Sequence, residues 1–490
     1  MMGTTRHAIV IGAGITGLVC AFRLQQSGVP VILLEAADSA GGMIATFEKN
    51  GFLFEAGPQC PRFAQPLWDL VREIGLAAEF VRGDSRAPRY ILKDGRLHVA
   101  PFSPFSFAFT GLVGPVSKYR LLTEVFRRSP APRDEESLAE FVRRKFDGDV
   151  LDYLVDPFIA AIFAGDSEKI GIESAFPFLA RWEREHGSLL RGALRSGNGN
   201  SASASRDKQP RQATRTRQKS LVVTESLPSL GSFRAGLSAL PKTLARRLDD
   251  SIRLRARVQS VESAETREDR DTTWRLRLGD GEVLSGAALV MTTPAYEAAR
   301  LLQKAAPELS TMLSDISYAP MAVVSSGYDR ARVRNPLHGF GVMIPPREKL
   351  STIFNVWNSS VLDGRAPAGK VLMTSFAGGA TNPAFVEKDD ASAAAIVERE
   401  MGAVLGIDGA PVERFVWKHL KALPQFNLGH ARTVTRIRKA LTGMPGLYLA
   451  GNYLDGRSLG DCVRSGSRTA QEIAANFSNA TSNSGSSAMA

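Results

Sequence analysis

The chain has 490 residues, 44% of them hydrophobic and 23% charged, which is the composition of a folded globular protein about three domain-lengths long. A wholly disordered, collagen-like or coiled-coil chain is excluded, and a core of this size needs no disulfide or metal staples. Three widely spaced cysteines (Cys20, Cys60, Cys462), no CxxC pair and six unclustered histidines give neither a metal site nor a disulfide framework, and fit a reducing, cytoplasmic setting. The net charge of +11 is unevenly spread. Residues 201–220 carry Arg206, Lys208, Arg211, Arg215, Arg217 and Lys219 against Asp207 alone. This basic, apolar-poor stretch reads as a disordered insertion over 196–220. The remainder is only mildly basic, so nucleic acid is not an expected partner. The N-terminal apolar run is broken by glycines and reads as no secretory signal, and no run of 18 apolar residues is present to span a membrane.

In chain order, residues 8–11 form a short apolar strand. The turn Gly12-Ala13-Gly14-Ile15-Thr16-Gly17 follows, then a helix stopped by Gly28, then a second apolar strand over 31–34 that ends in Glu35. Three glycines at this spacing between strand and helix, with an acid 18 residues later, form the dinucleotide fingerprint. Gly14 lets backbone approach a pyrophosphate and Gly17 lets helix and strand pack closely. The helix N-terminus supplies N–H groups, and Glu35 takes ribose hydroxyls. The fingerprint does not separate FAD from NAD.

Helical periodicity recurs at 67–75 and 138–146. Between them, residues 99–117 carry no charge but include Phe102, Phe105, Phe107 and Phe109, punctuated by Pro and Gly. Two readings stand: a buried turn region, or an apolar pocket wall or membrane-facing patch. Beyond the basic stretch come a loop and helix at 232–248 and alternating strands at 252–262, 274–278 and 283–284. A buried strand at 287–291 follows. Antiparallel strands occupy 317–378, a helix spans 391–405, and the last strand, glycine loop and helix run from 446 to 476. The low-complexity end, 478–490, reads as a flexible tail.

The order EAADSAGGMIAT…FEAGP, with Gly42, Met43, Gly57 and Pro58, resembles the flavin-containing amine oxidase superfamily. So does LYLAGNYLDGRSLGDC near the C-terminus. Within it, DPFIAAIFAGDSEKI at 156–170, SAFP at 174–177, SFRAGLSALPKTL at 232–244 and ALPQFNLGH at 422–430 resemble the oxygen-dependent protoporphyrinogen and coproporphyrinogen oxidases. The resemblance covers nearly the whole chain.

It implies an α/β (α+β mixed) fold: an FAD-binding Rossmann-like domain from segments 1–80, 221–295 and 426–477, an inserted antiparallel substrate sheet over 296–425, and a helical, membrane-facing domain over 81–195. The implied cofactor is FAD, held by Gly12, Ala13, Gly14, Ile15, Thr16, Gly17, Glu35, Ala36, Gly42, Met43, Gly57, Pro58, Gln59, Cys60, Val258, Gly451, Asn452, Arg457, Ser458 and Leu459. Ser39 stands where relatives carry a basic residue. Arg89 is implied as the carboxylate anchor, with Leu337, Ile353 and Phe376 sandwiching the macrocycle.

The implied reaction takes protoporphyrinogen IX to protoporphyrin IX by three hydride transfers to the flavin, with O2 reduced to H2O2. No catalytic side chain is singled out, because pyrrole nitrogens shed protons without a strong base. Coproporphyrinogen III is the alternative substrate. An amine oxidase, a phytoene-desaturase-like enzyme, or a flavin-fold binding or electron-transfer protein stand further off. A peripheral place on the inner face of the cell membrane and a homodimer are compatible partners.

Overall fold

The computed structural model describes residues 7–101, 104–126, 135–197, 230–265 and 272–486. The basic stretch 201–220 and Phe102 lie outside these residues.

Short apolar strands buried on both faces favour a parallel sheet covered by helices. Four such strands and the short, partly exposed edge strand Ile252–Arg253 lie side by side in the order Leu447–Leu449, Ala288–Met291, Ala8–Ile11, Val31–Leu34 and Ile252–Arg253, all parallel. On one face, the Ile15–Gln26 helix packs against the Leu459–Ser486 helix and the Ala239–Leu248 helix, burying Leu18, Val19, Leu244 and Val463. On the other face, the antiparallel sheet of Val258–Glu265, Thr272–Leu278 and Val283–Gly286 joins the Ala295–Leu302 and Pro307–Ser314 helices. The chain returns to this sheet from distant segments. The boundary with the substrate sheet lies later than the expected residue 296, because both helices over 295–314 pack into this layer.

A seven-stranded mixed sheet stands beside it, in the order Glu413–Pro424, Tyr318–Asp329, Lys370–Gly378, Thr352–Val356, Gly341–Met343, Arg89–Lys93 and Arg96–Val99. Its pairs are antiparallel except Gly341–Met343 against Arg89 to Ile91, which is parallel. The hairpin at 89–99 therefore belongs to the sheet, although the sequence places it in the helical region. The Asp390–Leu405 helix covers one face with Ala393, Val397 and Met401.

The third module is helical and includes Leu138–Lys145, Asp156–Phe163 and Pro177–His186 around Phe141, Tyr153, Ile159 and Phe163. A capping box between Ser137 and Glu140 starts its Leu138–Lys145 helix. That helix ends in Arg144 and Lys145, which meet the buried Glu136 and Glu183.

The charge-free run at 99–117 divides. Phe107, Leu112 and Val113 enter the core, while Phe109 and Val116 join Tyr119, Leu122 and Phe126 in facing outward. None of them lines a cavity with the dinucleotide sheet. The C-terminal helix also differs from expectation. It reaches Ser486, so residues 478–486 of the predicted tail are helical. Among the described residues, no helix is long and apolar enough to cross a membrane.

Candidate functional site

One large cavity, about 710 Å³, lies between the parallel sheet, the seven-stranded sheet and the Asp156–Phe163 helix. Its walls divide into a backbone-built half and a side-chain-built half.

The first half is the strand–turn–helix at the N-terminus. Gly17 sits where an added Cβ would fall 1.9 Å from the Gly12 carbonyl oxygen, so no larger residue fits between turn and helix. At Gly14, by contrast, an added Cβ would meet nothing within 4 Å, because that position opens on the cavity. The helix begins there with no side-chain cap and no acid in its first turn. Its first N–H groups are left for an anion, which the helix dipole favours. Glu35 accepts from the Ala13 N–H at 2.7 Å and the Ala37 N–H at 2.9 Å. Two backbone donors hold the carboxylate at the strand end, and it keeps lone pairs for further donors. An open glycine position, an uncapped helix start and a fixed acid suit a dinucleotide.

Most residues expected to hold the cofactor line this cavity: Gly12, Gly14, Ile15, Thr16, Glu35, Ala36, Gly42, Met43, Gly57, Pro58, Gln59, Cys60, Val258, Gly451, Asn452, Arg457 and Leu459. Ala13, Gly17 and Ser458 do not. Ala13 acts through its N–H on Glu35, and Gly17 faces the Gly12 carbonyl. Ser458 caps the last helix. Its Oγ accepts from the Asp461 N–H at 3.1 Å and donates to Asp461 Oδ2 at 2.6 Å. Burial pushes the Cys60 thiol up to about 12 and the Cys462 thiol up to about 11. Both stay protonated at the wall.

The second half comes from the seven-stranded sheet. Phe340, Phe354 and Phe376 project from neighbouring segments as a ladder, with centroids 6.0 and 6.3 Å apart and planes tilted by 7° and 13°. Met321, Val323, Val356, Ala422 and Ala161 complete this wall. Glu35 and Glu297, the carboxylates among the described lining residues, both lie with the dinucleotide half. His419 faces the cavity, but burial lowers its pKa and Nε2 meets the Ala56 carbonyl at 2.8 Å.

Of the four residues expected to bind substrate, Phe376 lines the cavity directly. Arg89 stands one ring behind the wall, its guanidinium 4.8 Å from the centre of Phe340. Ile353 lies at a break in strand register between Thr352 and Phe354, buried in a cluster with Ala160 and Ala164, and Phe354 takes the wall instead. Leu337 is in a different place. It occupies a turn with φ of 55°, tied by its N–H to Asn335 Oδ1, and is buried with Tyr328, Trp357 and Leu405 away from the cavity.

Sequence reasoning passes over Phe340, Phe354, Thr292, Tyr296, Arg300 and Lys421, which all line the cavity. The Thr-Thr-Pro exit turn after the strand over 287–291 was the one signal for the dinucleotide-side group.

The family model described as flavin containing amine oxidoreductase matches residues 15–474. The chain is 31% identical over 480 residues to the chloroplastic protoporphyrinogen oxidase of Nicotiana tabacum, covering 95% of this chain and 85% of that one. It is 26% identical over 479 residues to the coproporphyrinogen III oxidase of Bacillus subtilis, covering 94% and 96%. A crystal structure from Exiguobacterium sp. 255-15 superposes with a TM-score of 0.78 at 24% identity, over 96% of this chain and 99% of that one, and shows the same fold.

Proposed function

This chain belongs to the flavin containing amine oxidoreductase family, and from that premise we propose that it oxidises a porphyrinogen, with protoporphyrinogen IX as substrate. Its cofactor is FAD. When bound, FAD supplies a two-electron acceptor that O2 can reoxidise. The N–H groups at Gly14, Ile15 and Thr16 would take its pyrophosphate and Glu35 its ribose, while Gly42 and Gly57 would border it further on.

The observation that carries the substrate class is the ladder of Phe340, Phe354 and Phe376 opening directly off the dinucleotide cradle. Parallel phenyl faces suit a large, electron-rich ring system better than a small amine. Arg89 closes the ladder on the far side of Phe340, where its fork can meet a carboxylate at the slot edge. The substrate half presents no carboxylate among the described lining residues, so it withholds a strong base. The pyrrole N–H protons then pass to water rather than to a side chain. Burial lowers the His419 pKa, so His419 adds no charge to the wall, and the apolar side chains keep bulk water off the carbon being oxidised.

O2 is the proposed oxidant. Mixing the FAD-loaded protein with protoporphyrinogen IX in air is expected to give porphyrin fluorescence with three H2O2 per porphyrin. Bound FAD with no porphyrin from either porphyrinogen overturns the proposal. Faster turnover of coproporphyrinogen III would move the substrate and leave the reaction class.

The outward side chains of Phe109, Val116, Tyr119, Leu122 and Phe126 support a peripheral membrane contact. Flotation with anionic liposomes at low salt is the test, and protein left wholly in the soluble fraction counts against it.

A further inference from the structure

A substrate carrying carboxylates needs cations facing the slot, and the cavity's cations are not equivalent. Arg257, Arg300 and Lys421 line it but are exposed. Arg300 is also bound to Glu297 and to the Val258 and Gln259 carbonyls, and Lys421 lies 4.3 Å from the Tyr296 ring centre. All three are therefore engaged at the dinucleotide side or open to water. Arg457 differs. It precedes the last helix, yet its side chain turns away from that helix toward the helical module. Its Nη1 donates to the Ile162 carbonyl at 2.7 Å, and its guanidinium carbon lies 3.1 Å from the centre of Phe163. Both partners close the Asp156–Phe163 helix, whose Ala161 lines the cavity and whose Ala160 packs in the same cluster as Ile353. No carboxylate lies within ion-pair distance of Arg457 among the described residues.

A guanidinium has five N–H donors, and a carbonyl and a phenyl face satisfy few of them. Removing such a cation from water without a counter-charge is costly. Arg457 is half-buried, and desolvation pushes its pKa down to about 9 against the raising effect of the Asp461 charge. Arg457 also lines the cavity, so its remaining N–H donors are open to an anion that enters there.

We propose that Arg457 is a second substrate anchor, binding a carboxylate of the ring substrate on the helical-module side of the slot while Arg89 serves the opposite edge. This rests on the porphyrinogen reading and extends it, since it makes the slot selective for an acidic ring substrate at two places. Cofactor contact alone is the competing assignment for Arg457. The path of its side chain toward Ile162 and Phe163, rather than toward Gly14 and Glu35, favours the substrate.

The test uses FAD-loaded protein, with Arg457→Met and Arg457→Lys beside the unaltered chain. The probe is the oxidised ring, protoporphyrin IX, whose binding needs no turnover, and its neutral dimethyl ester. Loss of a charge-assisted bidentate contact is expected to weaken protoporphyrin IX binding to R457M about tenfold to a hundredfold. Ester binding should move less than threefold, R457K should recover part of the loss, and KM should rise more than kcat falls. Equal weakening for acid and ester, unchanged binding of both, or loss of FAD from both variants would each overturn the proposal. If the unaltered chain binds and oxidises no porphyrinogen, the underlying function fails instead, and that control keeps the two failures apart.

Discussion

The two halves of the cavity are made of different material. Around Gly14 and Glu35 the ligand faces backbone: uncapped N–H groups, an open glycine position and a carboxylate held by two amides. Around Phe340, Phe354 and Phe376 it faces side chains alone, brought from separate segments of the chain. The backbone half depends on where the chain turns and tolerates little substitution. The side-chain half depends on which face of a strand a residue occupies, and can be altered without disturbing the dinucleotide site. This contrast is what makes the two halves separable by mutation.

Gly17→Ala should have the largest effect. Its methyl would lie 1.9 Å from the Gly12 oxygen, so strand and helix must part. Overpacking of this kind costs about 1–3 kcal/mol or more. The protein is expected to purify without FAD and melt earlier. Retention of stoichiometric flavin would show that the turn is looser than the structure has it.

The pH response comes next, and it belongs to the backbone half. Glu55, in the strand before Gly57, has its carboxyl pushed up to about 7 by burial, against the lowering effects of Thr46, the Leu237 N–H and Arg365. The folded state thus holds this proton more tightly than the unfolded chain does. The stability it contributes is present below about pH 4.5 and is lost as pH rises through about 7. At 1.36 kcal/mol per unit, the loss is on the order of 3 kcal/mol. Urea unfolding of the unaltered chain should therefore weaken between about pH 4.5 and 7, and Glu55→Gln should reduce that slope, leaving the part contributed by Asp156, whose carboxyl burial raises to about 6. An unchanged slope in the variant would place the titration elsewhere.

Glu35→Ala removes the acceptor for two N–H groups and for the proposed ribose contact. Its FAD Kd is expected to rise about tenfold to a hundredfold, since hydrogen bonds to a charged group are worth about 1.5–3 kcal/mol. Flavin fluorescence titration reads this directly. An unchanged Kd removes Glu35 from the cofactor site.

Phe354→Ala takes the middle rung from the ladder and sharpens the comparison from the other side. Aromatic pairs add about 0.5–1.5 kcal/mol each. The KM for porphyrinogen should rise roughly tenfold while FAD content stays at one per chain. A flavin-free variant would mean that the halves are not separable.

The smallest effect is expected from deleting residues 201–220, which hold almost no large apolar side chain. Flavin content and melting temperature should stay as they are. Loss of FAD would give this stretch a structural role.

The same contrast explains what could be read before the fold was known. The dinucleotide half is local: Gly12, Gly14, Gly17 and Glu35 lie within one strand–helix–strand unit, and glycine at fixed spacing is rare enough to carry meaning. The side-chain half is not local. Arg89 reaches Phe340 because Arg89–Lys93 pairs in parallel with Gly341–Met343, far along the chain. Phe340 and Phe354 are indistinguishable in sequence from core phenylalanines until that pairing is made. Leu337 and Ile353 show how sensitive this is. They lie three and one residues from Phe340 and Phe354, and a turn or a break in register turns each away. The helical end of the chain was obscured for another reason. Residues 478–486 are Ser- and Asn-rich, yet they continue a helix already anchored by Val463, Ala470 and Ile473.

The central claim is that the aromatic slot beside the FAD cradle receives a porphyrinogen. The direct measurement is anaerobic stopped-flow mixing of the FAD-loaded protein with protoporphyrinogen IX, coproporphyrinogen III and a primary amine at matched concentrations. The account predicts rapid bleaching of the flavin absorbance by protoporphyrinogen IX and none by the amine. Bleaching by the amine with neither porphyrinogen active, FAD being in place, would contradict it.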